Sequence, residues 1–182
     1  KAAADLLVKS YEKTFGYKAI ITRSSNNYGP YQFPEKVIPL FITNALTDKS
    51  VPLYGDGLNV RDWLYVEDNC RAIATVMLKG KLGEIYNIGG NCERTNIYIT
   101  KTILKILDRP LSMIKYVKDR PGHDRRYALN ISKIRRQLGW QPKYRFEDGI
   151  RKTILWYLDN PKWWEQIKTG EYLNFYHKHY QR

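Results

Sequence analysis

Hydrophobic and polar residues recur along this chain at spacings that predict helices and strands in alternation. Apolar residues three and four positions apart are typical of amphipathic helices, and this spacing occurs at 1–15, 35–46, 67–78 and 146–158. A further helix is predicted at 96–107 and a short one at 131–138. Thr95 or Asn96 can cap the first of them, and Asn130 can cap the second, because their side-chain oxygens accept hydrogen bonds from free backbone N–H groups.

Strands are predicted between these helices. The short segments rich in apolar, β-branched or aromatic residues are 17–22, 51–54, 60–66, 84–88 and 113–117. Residues 24–30 and 55–57 are interpreted as turns, because they are rich in Ser, Asn, Gly, Asp and Pro. Strands that alternate with helices predict an α/β fold, and the helix-rich C-terminal part could form a lobe beside the sheet.

The composition narrows the class of protein. Hydrophobic residues make up 43% of the chain and charged residues 27%, which is typical of a globular protein. No apolar run is long enough to span a bilayer and no signal-peptide pattern opens the chain, so we expect a cytoplasmic protein without a membrane partner. Cys70 and Cys92 suit a reducing compartment and lack metal-ligand spacing. His177 and His179 lie in an aromatic tail and are expected at the surface, so no metal is predicted.

The formal net charge of +13 has three interpretations: a nucleic-acid partner, anionic small substrates, or a larger protein whose other part is acidic. The basic residues are scattered through periodic segments, which argues against nucleic acid. The first residue is Lys rather than Met, and a helical pattern begins there without a preceding cap. We therefore expect that further sequence precedes this chain.

The segment 119–127, D-R-P-G-H-D-R-R-Y, is the strongest candidate for chemistry. Arg120, His123, Arg125 and Arg126 surround a Pro-Gly turn, and arginine presents paired planar donors that suit phosphate oxygens. The alternative is a solvated loop whose charges pair with one another. Ion-paired scaffolding is the favoured interpretation for Arg125 and Arg126.

Other groups that could bind an anion or a ring are separated along the chain. Arg61 lies in the apolar run 60–66, where its charge requires a partner, either Asp62 or a ligand phosphate. Lys36 is close to a predicted helix start, where backbone N–H groups also favour anions. Tyr54 could stack on a flat ring or donate a hydrogen bond.

Asn26 and Asn27 follow a predicted buried strand, and loops at the carboxyl ends of parallel strands are where ligands bind in such sheets. Their amides can serve an amide-bearing cofactor or sugar hydroxyls, although a simple turn is the favoured interpretation of these residues taken alone. The sequence contains no nucleophile–base–acid set, no G-x-G-x-x-G and no Walker-type loop.

Four motifs together resemble the dTDP-glucose 4,6-dehydratase family of extended short-chain dehydrogenases/reductases. They are S-N-N-Y-G-P-Y-Q-F-P-E-K at 25–36, R-D-W-L-Y-V-E-D at 61–68, Y-N-I-G-G at 86–90 and the segment 119–127. The resemblance covers nearly the whole chain. It implies the C-terminal part of a Rossmann-type doubly wound sheet with a smaller, mixed α/β substrate-binding lobe. Residues 1–29 and 59–91 would be the remnant of an NAD-binding domain, and 30–58 and 92–182 the nucleotide-sugar-binding domain.

The resemblance also implies a reaction, catalysed by an NAD-dependent lyase. In the family, dTDP-glucose is oxidised at C4, loses water across C5 and C6, and is reduced at C6 to give dTDP-4-keto-6-deoxyglucose. Lys1 matches the lysine of the family's Y-x-x-x-K motif. The tyrosine, the glycine-rich loop and an Asp-Glu pair would then precede this chain, which we expect to be inactive alone. The family implies a homodimer built through the helix at 1–15.

The family's site residues carry over by position. Lys1 is the catalytic-motif lysine, and Lys1 and Asn27 are expected to bind NAD. The residues expected to bind the nucleotide sugar are Asn26, Lys36, Val37, Pro52, Tyr54, Arg61, Asn96, Arg120 and His123. Two alternatives stay open: another nucleotide-sugar dehydratase, epimerase or decarboxylase of the same superfamily, or a non-catalytic basic binding module.

Overall fold

The structure is a computed structural model that describes residues 1–170. The two tail histidines, His177 and His179, lie outside the described residues. The described part contains seven α-helices: α1 (Ala2–Phe15), α2 (Val37–Leu46), α3 (Val66–Lys79), α4 (Asn96–Ile106), α5 (Ser132–Leu138), α6 (Phe146–Asp159) and α7 (Pro161–Ile167). It contains eight strands: β1 (Ile21–Ser24), β2 (Asn26–Tyr28), β3 (Val51–Tyr54), β4 (Val60–Tyr65), β5 (Ile85–Ile88), β6 (Glu93–Thr95), β7 (Ile114–Val117) and β8 (Arg126–Tyr127).

Most strand pairs are parallel. β1 pairs with β5, β3 pairs with β7, and β4 pairs with both β2 and β8 in parallel, whereas β6 pairs with β4 antiparallel. Parallel neighbours need a long crossover between them, and α3 provides part of one between β1 and β5. The α/β prediction is confirmed.

Two hydrophobic cores lie on opposite sides of β4. Trp63 and Tyr65 face the larger core, which also contains buried residues of α2, α4 and α6. Leu64 faces the smaller core, together with residues of α3, β5 and α5. Because successive side chains of a strand point to opposite faces, one strand can separate two cores. The assignment of the chain to two functional domains stays a prediction.

The structure corrects the sequence-based prediction in two segments and adds three short elements. Residues 26–28, predicted as a turn, form β2, because β4 offers a parallel partner in the register Asn26 with Trp63. The strand predicted at 17–22 occupies Ile21–Ser24 instead. The short strands β6 and β8 and the helix α7 carry too little periodic signal to be predicted from spacing.

The first helix exposes its apolar residues. Leu6, Leu7, Tyr11 and Phe15 are each more than half exposed, and α1 buries no residue. Its C-terminal end is closed by Gly16, whose φ of 64° is the left-handed conformation that glycine adopts at helix ends. Within residues 1–170, no helix is long and apolar enough to cross a membrane.

Candidate functional site

A cavity of about 520 Å³ opens between β2, β3, β4, the first turns of α2 and α4, and the segment 119–127, which we call the arginine turn. All nine residues predicted to bind a nucleotide sugar line this cavity. They are Asn26, Lys36, Val37, Pro52, Tyr54, Arg61, Asn96, Arg120 and His123. The structure therefore brings together residues that are up to 97 positions apart in the chain, from 26 to 123.

The pairing of β2 with β4 and the N-terminal end of α2 place the polar residues of the cavity. Asn26 lies opposite Trp63 in the parallel pair of β2 and β4, so both side chains can face the same space. Lys36 is the residue before the first turn of α2, and the N–H groups of that turn carry the positive end of the helix dipole. Five cavity residues were not predicted: Glu35, Leu40, Phe41, Leu53 and Trp63. Their apolar members read as ordinary core positions in the sequence.

Arg61 is the most buried cation of the cavity, with 7% of its surface exposed. Its guanidinium donates to the carbonyl of Val60 at 2.7 Å and forms no ion pair within residues 1–170. Burial lowers the pKa of Arg61, and repulsion from Arg120 acts in the same direction, while Asp124 opposes it. A guanidinium in this environment is stabilised when an anion binds.

Asp62 is not the partner of Arg61. Its carboxylate accepts hydrogen bonds from the backbone N–H groups of Gly90, at 3.0 Å, and Cys92, at 2.8 Å, on the far side of β4. Of the two partners that the sequence leaves open for Arg61, a ligand anion is the one that agrees with this geometry.

The arginine turn directs its first two basic residues into the cavity. Gly122, at a φ of 65°, reverses the chain, and the carboxylate of Asp119 accepts from the Arg120 backbone N–H at 2.9 Å and contacts the His123 Nδ1 at 2.6 Å. The contact with His123 is the main cause that lowers the pKa of Asp119. The ring of Tyr54 meets His123 edge to face, with centroids 6.1 Å apart.

The last two arginines of the turn point elsewhere. Arg125 forms a bidentate ion pair with Asp56 at 2.8 and 3.0 Å, and Arg126 forms one with Glu93 at 2.7 Å to each oxygen. Their predicted ion pairing is confirmed. Arg120, in contrast, forms no ion pair within the described part of the chain.

Two cavity arginines thus stand close enough to repel each other, and within residues 1–170 neither forms an ion pair, although Asp124 attracts Arg61 from a longer distance. Lys36 adds a third charge and has only a loose contact of 3.7 Å with Glu35. Such a set of guanidinium groups beside a helix N-terminus can hold a phosphate or diphosphate.

Lys1 and Asn27 do not line the cavity. Lys1 is exposed at the start of α1, where its carbonyl accepts from the Asp5 N–H at 3.1 Å. The Asn27 amide donates to the carbonyl of Ser25 at 3.1 Å, and its buried Oδ1 has no hydrogen-bond partner among residues 1–170. An orphaned acceptor of this kind suits an amide donor of a ligand, so the residue fits a nicotinamide. The cofactor roles of both residues stay predictions.

A comparison with known protein families shows to which family this chain belongs. The model of the family described as GDP-mannose 4,6 dehydratase matches residues 1–153. This chain belongs to that family.

Within residues 1–170 no group of three or more His, Cys, Asp or Glu side chains is arranged to hold a metal ion.

Among individual relatives, the members similar to this chain are dTDP-glucose 4,6-dehydratases. Over 188 residues, 100% of this chain, it is 52% identical to dTDP-glucose 4,6-dehydratase 1 of Escherichia coli K12. The resemblance seen in the motifs is confirmed. The chain spans about half the length of the curated relatives that it matches, 52% in this case.

Solved structures that are similar to this chain include dTDP-glucose 4,6-dehydratases as well. The dTDP-glucose 4,6-dehydratase of Bacillus anthracis, in complex with NAD, is 54% identical, with a TM-score of 0.88 over 92% of this chain and 53% of that one. The dTDP-glucose 4,6-dehydratase of Streptomyces venezuelae, also with NAD bound, is 50% identical, with a TM-score of 0.91 over 92% of this chain and 52% of that one. The described part of this chain has the Rossmann-like mixed α/β fold of these dehydratases.

Proposed function

We propose that this chain forms the nucleotide-sugar-binding part of a dTDP-glucose 4,6-dehydratase, an NAD-dependent lyase that converts dTDP-glucose to dTDP-4-keto-6-deoxyglucose and water. One observation carries the proposal. The buried Arg61 and the neighbouring Arg120 face one cavity, and no carboxylate among the described residues pairs with either. Two arginines without an ion pair, beside a helix N-terminus, suit the diphosphate of a nucleotide sugar.

The other cavity residues extend this assignment to both ends of the ligand. Tyr54 and Pro52 offer flat and apolar surface to the base and ribose, and His123 lies against the Tyr54 ring. Asn96 and Val37 border the same space on the nucleotide side. At the opposite end, an amide that both donates and accepts suits sugar hydroxyls, and Asn26 supplies it.

The catalytic centre extends beyond the cavity. NAD, when bound, takes up and returns a hydride, and we propose that Asn27 and Lys1 contribute to holding it. The orphaned Oδ1 of Asn27 supports this role. Because this sequence contains neither the tyrosine of Y-x-x-x-K nor a glycine-rich loop, we expect no turnover of dTDP-glucose by the chain alone. Formation of the 4-keto-6-deoxy sugar by the isolated chain would contradict this expectation.

We also propose a cytoplasmic homodimer for the whole protein. The apolar, exposed face of α1, with Leu6, Leu7, Tyr11 and Phe15, supports the assembly. Burial of these side chains against a second copy would remove apolar surface from water, which is the main driving force of association.

Calorimetric titration of the chain with dTDP, UDP and thymidine tests the binding proposal. We expect dTDP to bind more tightly than thymidine, because only dTDP carries the diphosphate. The matched control is Arg109→Ala, which removes an arginine paired with Asp48 outside the cavity and should leave the Kd for dTDP unchanged. Equal affinity for dTDP and thymidine would contradict the proposal.

The same titration separates the alternatives. Tighter binding of UDP than of dTDP would favour another nucleotide-sugar enzyme of the superfamily. Tight binding to random DNA with a steep salt dependence, in the absence of dTDP binding, would favour a basic binding module.

A further inference from the structure

Asn59 lies directly before β4 and is almost fully buried, with 2% of its surface exposed. Its side-chain amide donates to the carbonyl of Asp124, in the arginine turn, at 3.2 Å. Its own carbonyl accepts from the backbone N–H of Asn96, a cavity residue, at 3.0 Å. One buried residue thus connects the start of β4 with two segments that line the cavity.

The arginine turn has other anchors, but most are exposed. The ion pairs of Arg125 and Arg126 lie at the surface, where each pair contributes little. The Val60 N–H donates to the carbonyl of Arg125 at 2.8 Å, which starts the ladder between β4 and β8 but does not connect residues 119–124 to β4. Asn59 supplies the one side-chain hydrogen bond within residues 1–170 that reaches a backbone group of the turn from a buried position.

Packing alone does not account for an asparagine at position 59. Its Oδ1 is buried and has no hydrogen-bond partner among residues 1–170. A buried acceptor without a partner lowers stability, and an apolar side chain at this position would avoid that loss. The donated bond to Asp124 is therefore what the amide contributes.

We propose that Asn59 is a positioning residue for diphosphate binding. By holding Asp124, it sets, across the Pro-Gly turn closed by Asp119, the location of Arg120 relative to Arg61. This inference rests on the proposed function, because it takes the ligand of the cavity to be a nucleoside diphosphate. Asn59 itself does not touch the ligand, since it is absent from the cavity lining.

A double-mutant cycle tests the inference. The Kd values for dTDP and for thymidine are measured on the unmodified chain, Asn59→Ala, Arg120→Ala and the double variant. We expect Asn59→Ala to weaken dTDP binding about 3- to 10-fold, as for the loss of one hydrogen bond, and to leave thymidine binding unchanged. The double variant should bind dTDP no more weakly than Arg120→Ala, because Asn59 acts through the turn.

Each other outcome has a defined meaning. Additive losses in the cycle, or equal losses for dTDP and thymidine, would overturn the positioning role, because a general loss of structure does not discriminate between the ligands. If the alanine variant does not fold, Asn59→Val, which fills more of the space, carries no charge and cannot donate to Asp124, replaces it in the cycle. The matched control is Asn160→Ala, which loses an amide bond of 2.8 Å to the Trp156 carbonyl away from the cavity.

The unmodified chain separates failure of this inference from failure of the proposed function. If it binds dTDP no better than thymidine, the proposed function itself fails. If it prefers dTDP and Asn59→Ala keeps the full preference, only the positioning role is refuted.

Discussion

Replacement of Arg61 by methionine separates a binding role from a structural one. Methionine keeps most of the apolar stem that packs in the wall of the cavity and removes only the guanidinium. Because Arg61 is 7% exposed, a hydrogen bond from it to a diphosphate would form with little competition from water. Charge-assisted hydrogen bonds of this kind contribute about 1.5–3 kcal/mol.

This range converts to a change in affinity. Since 1.4 kcal/mol corresponds to a factor of ten in Kd, Arg61→Met should weaken dTDP binding by about 10- to 150-fold. The stability of the ligand-free chain should change in a different way. The variant loses the bond to the Val60 carbonyl and the attraction of Asp124, but it is relieved of a buried charge that Arg120 repels. We therefore expect the free energy of unfolding to stay within about 1 kcal/mol.

Two assays on the same protein check this pair of expectations. Calorimetry gives the Kd for dTDP, and urea unfolding without ligand gives the free energy of unfolding. An unchanged Kd would refute the assignment of Arg61 to the ligand. A loss of stability as large as the loss of binding energy would show that Arg61 supports the fold instead.

Three further predictions concern the fold around the site. Gly90→Ala should destabilise the chain severely in a thermal melt, because a Cβ would lie 1.9 Å from the Trp63 carbonyl oxygen. In the control variant Gly139→Ala the added Cβ meets no atom within 4 Å, so the variant should cost about 1–2 kcal/mol through its positive φ alone. Equal effects of the two substitutions would contradict this reasoning. Tyr157→Phe removes a hydrogen bond to a backbone carbonyl in the loop before α2 and should lower the urea-derived free energy of unfolding by about 1 kcal/mol; no change would mean that water replaces the hydroxyl. The pKa of Asp56 is lowered from 3.8 to about 2, chiefly by the hydrogen bond from Arg125. The contribution of Asp56 to stability is therefore present above pH 3.8 and is lost as the pH falls towards 2. Asp56→Asn should remove this part of the pH dependence, and parallel acid-unfolding curves of the variant and the unmodified chain would contradict the prediction.

The four long helices and most strands follow from the spacing of apolar residues, and the structure has them near the expected positions. The error at Asn26–Tyr28 has a tertiary cause. Asn and Gly favour turns, but β4 offers these residues a parallel partner. Pairing across the fold prevails over a local preference that amounts to about 1 kcal/mol.

The sequence predicted which residues form the candidate site better than it predicted the contacts that their charges make. Nine residues matched by motif all line one cavity, yet the sequence left open whether Arg61 pairs with Asp62 and whether the arginine turn pairs with itself. The structure divides the turn, with Arg125 and Arg126 held by carboxylates from distant segments and Arg120 facing the cavity. Asn59 was missed because one buried asparagine carries no periodic signal.

The sequence by itself determined the α/β class, the family and the residue types that the cavity presents, because periodicity and motifs are local properties of the chain. Only the tertiary structure decided which charges remain without a partner. Arg61 and Asp62 are neighbours in sequence, but successive side chains of a strand face opposite sides, so Asp62 binds the backbone at Gly90 while Arg61 enters the cavity. The electrostatic character of the site depends on that separation.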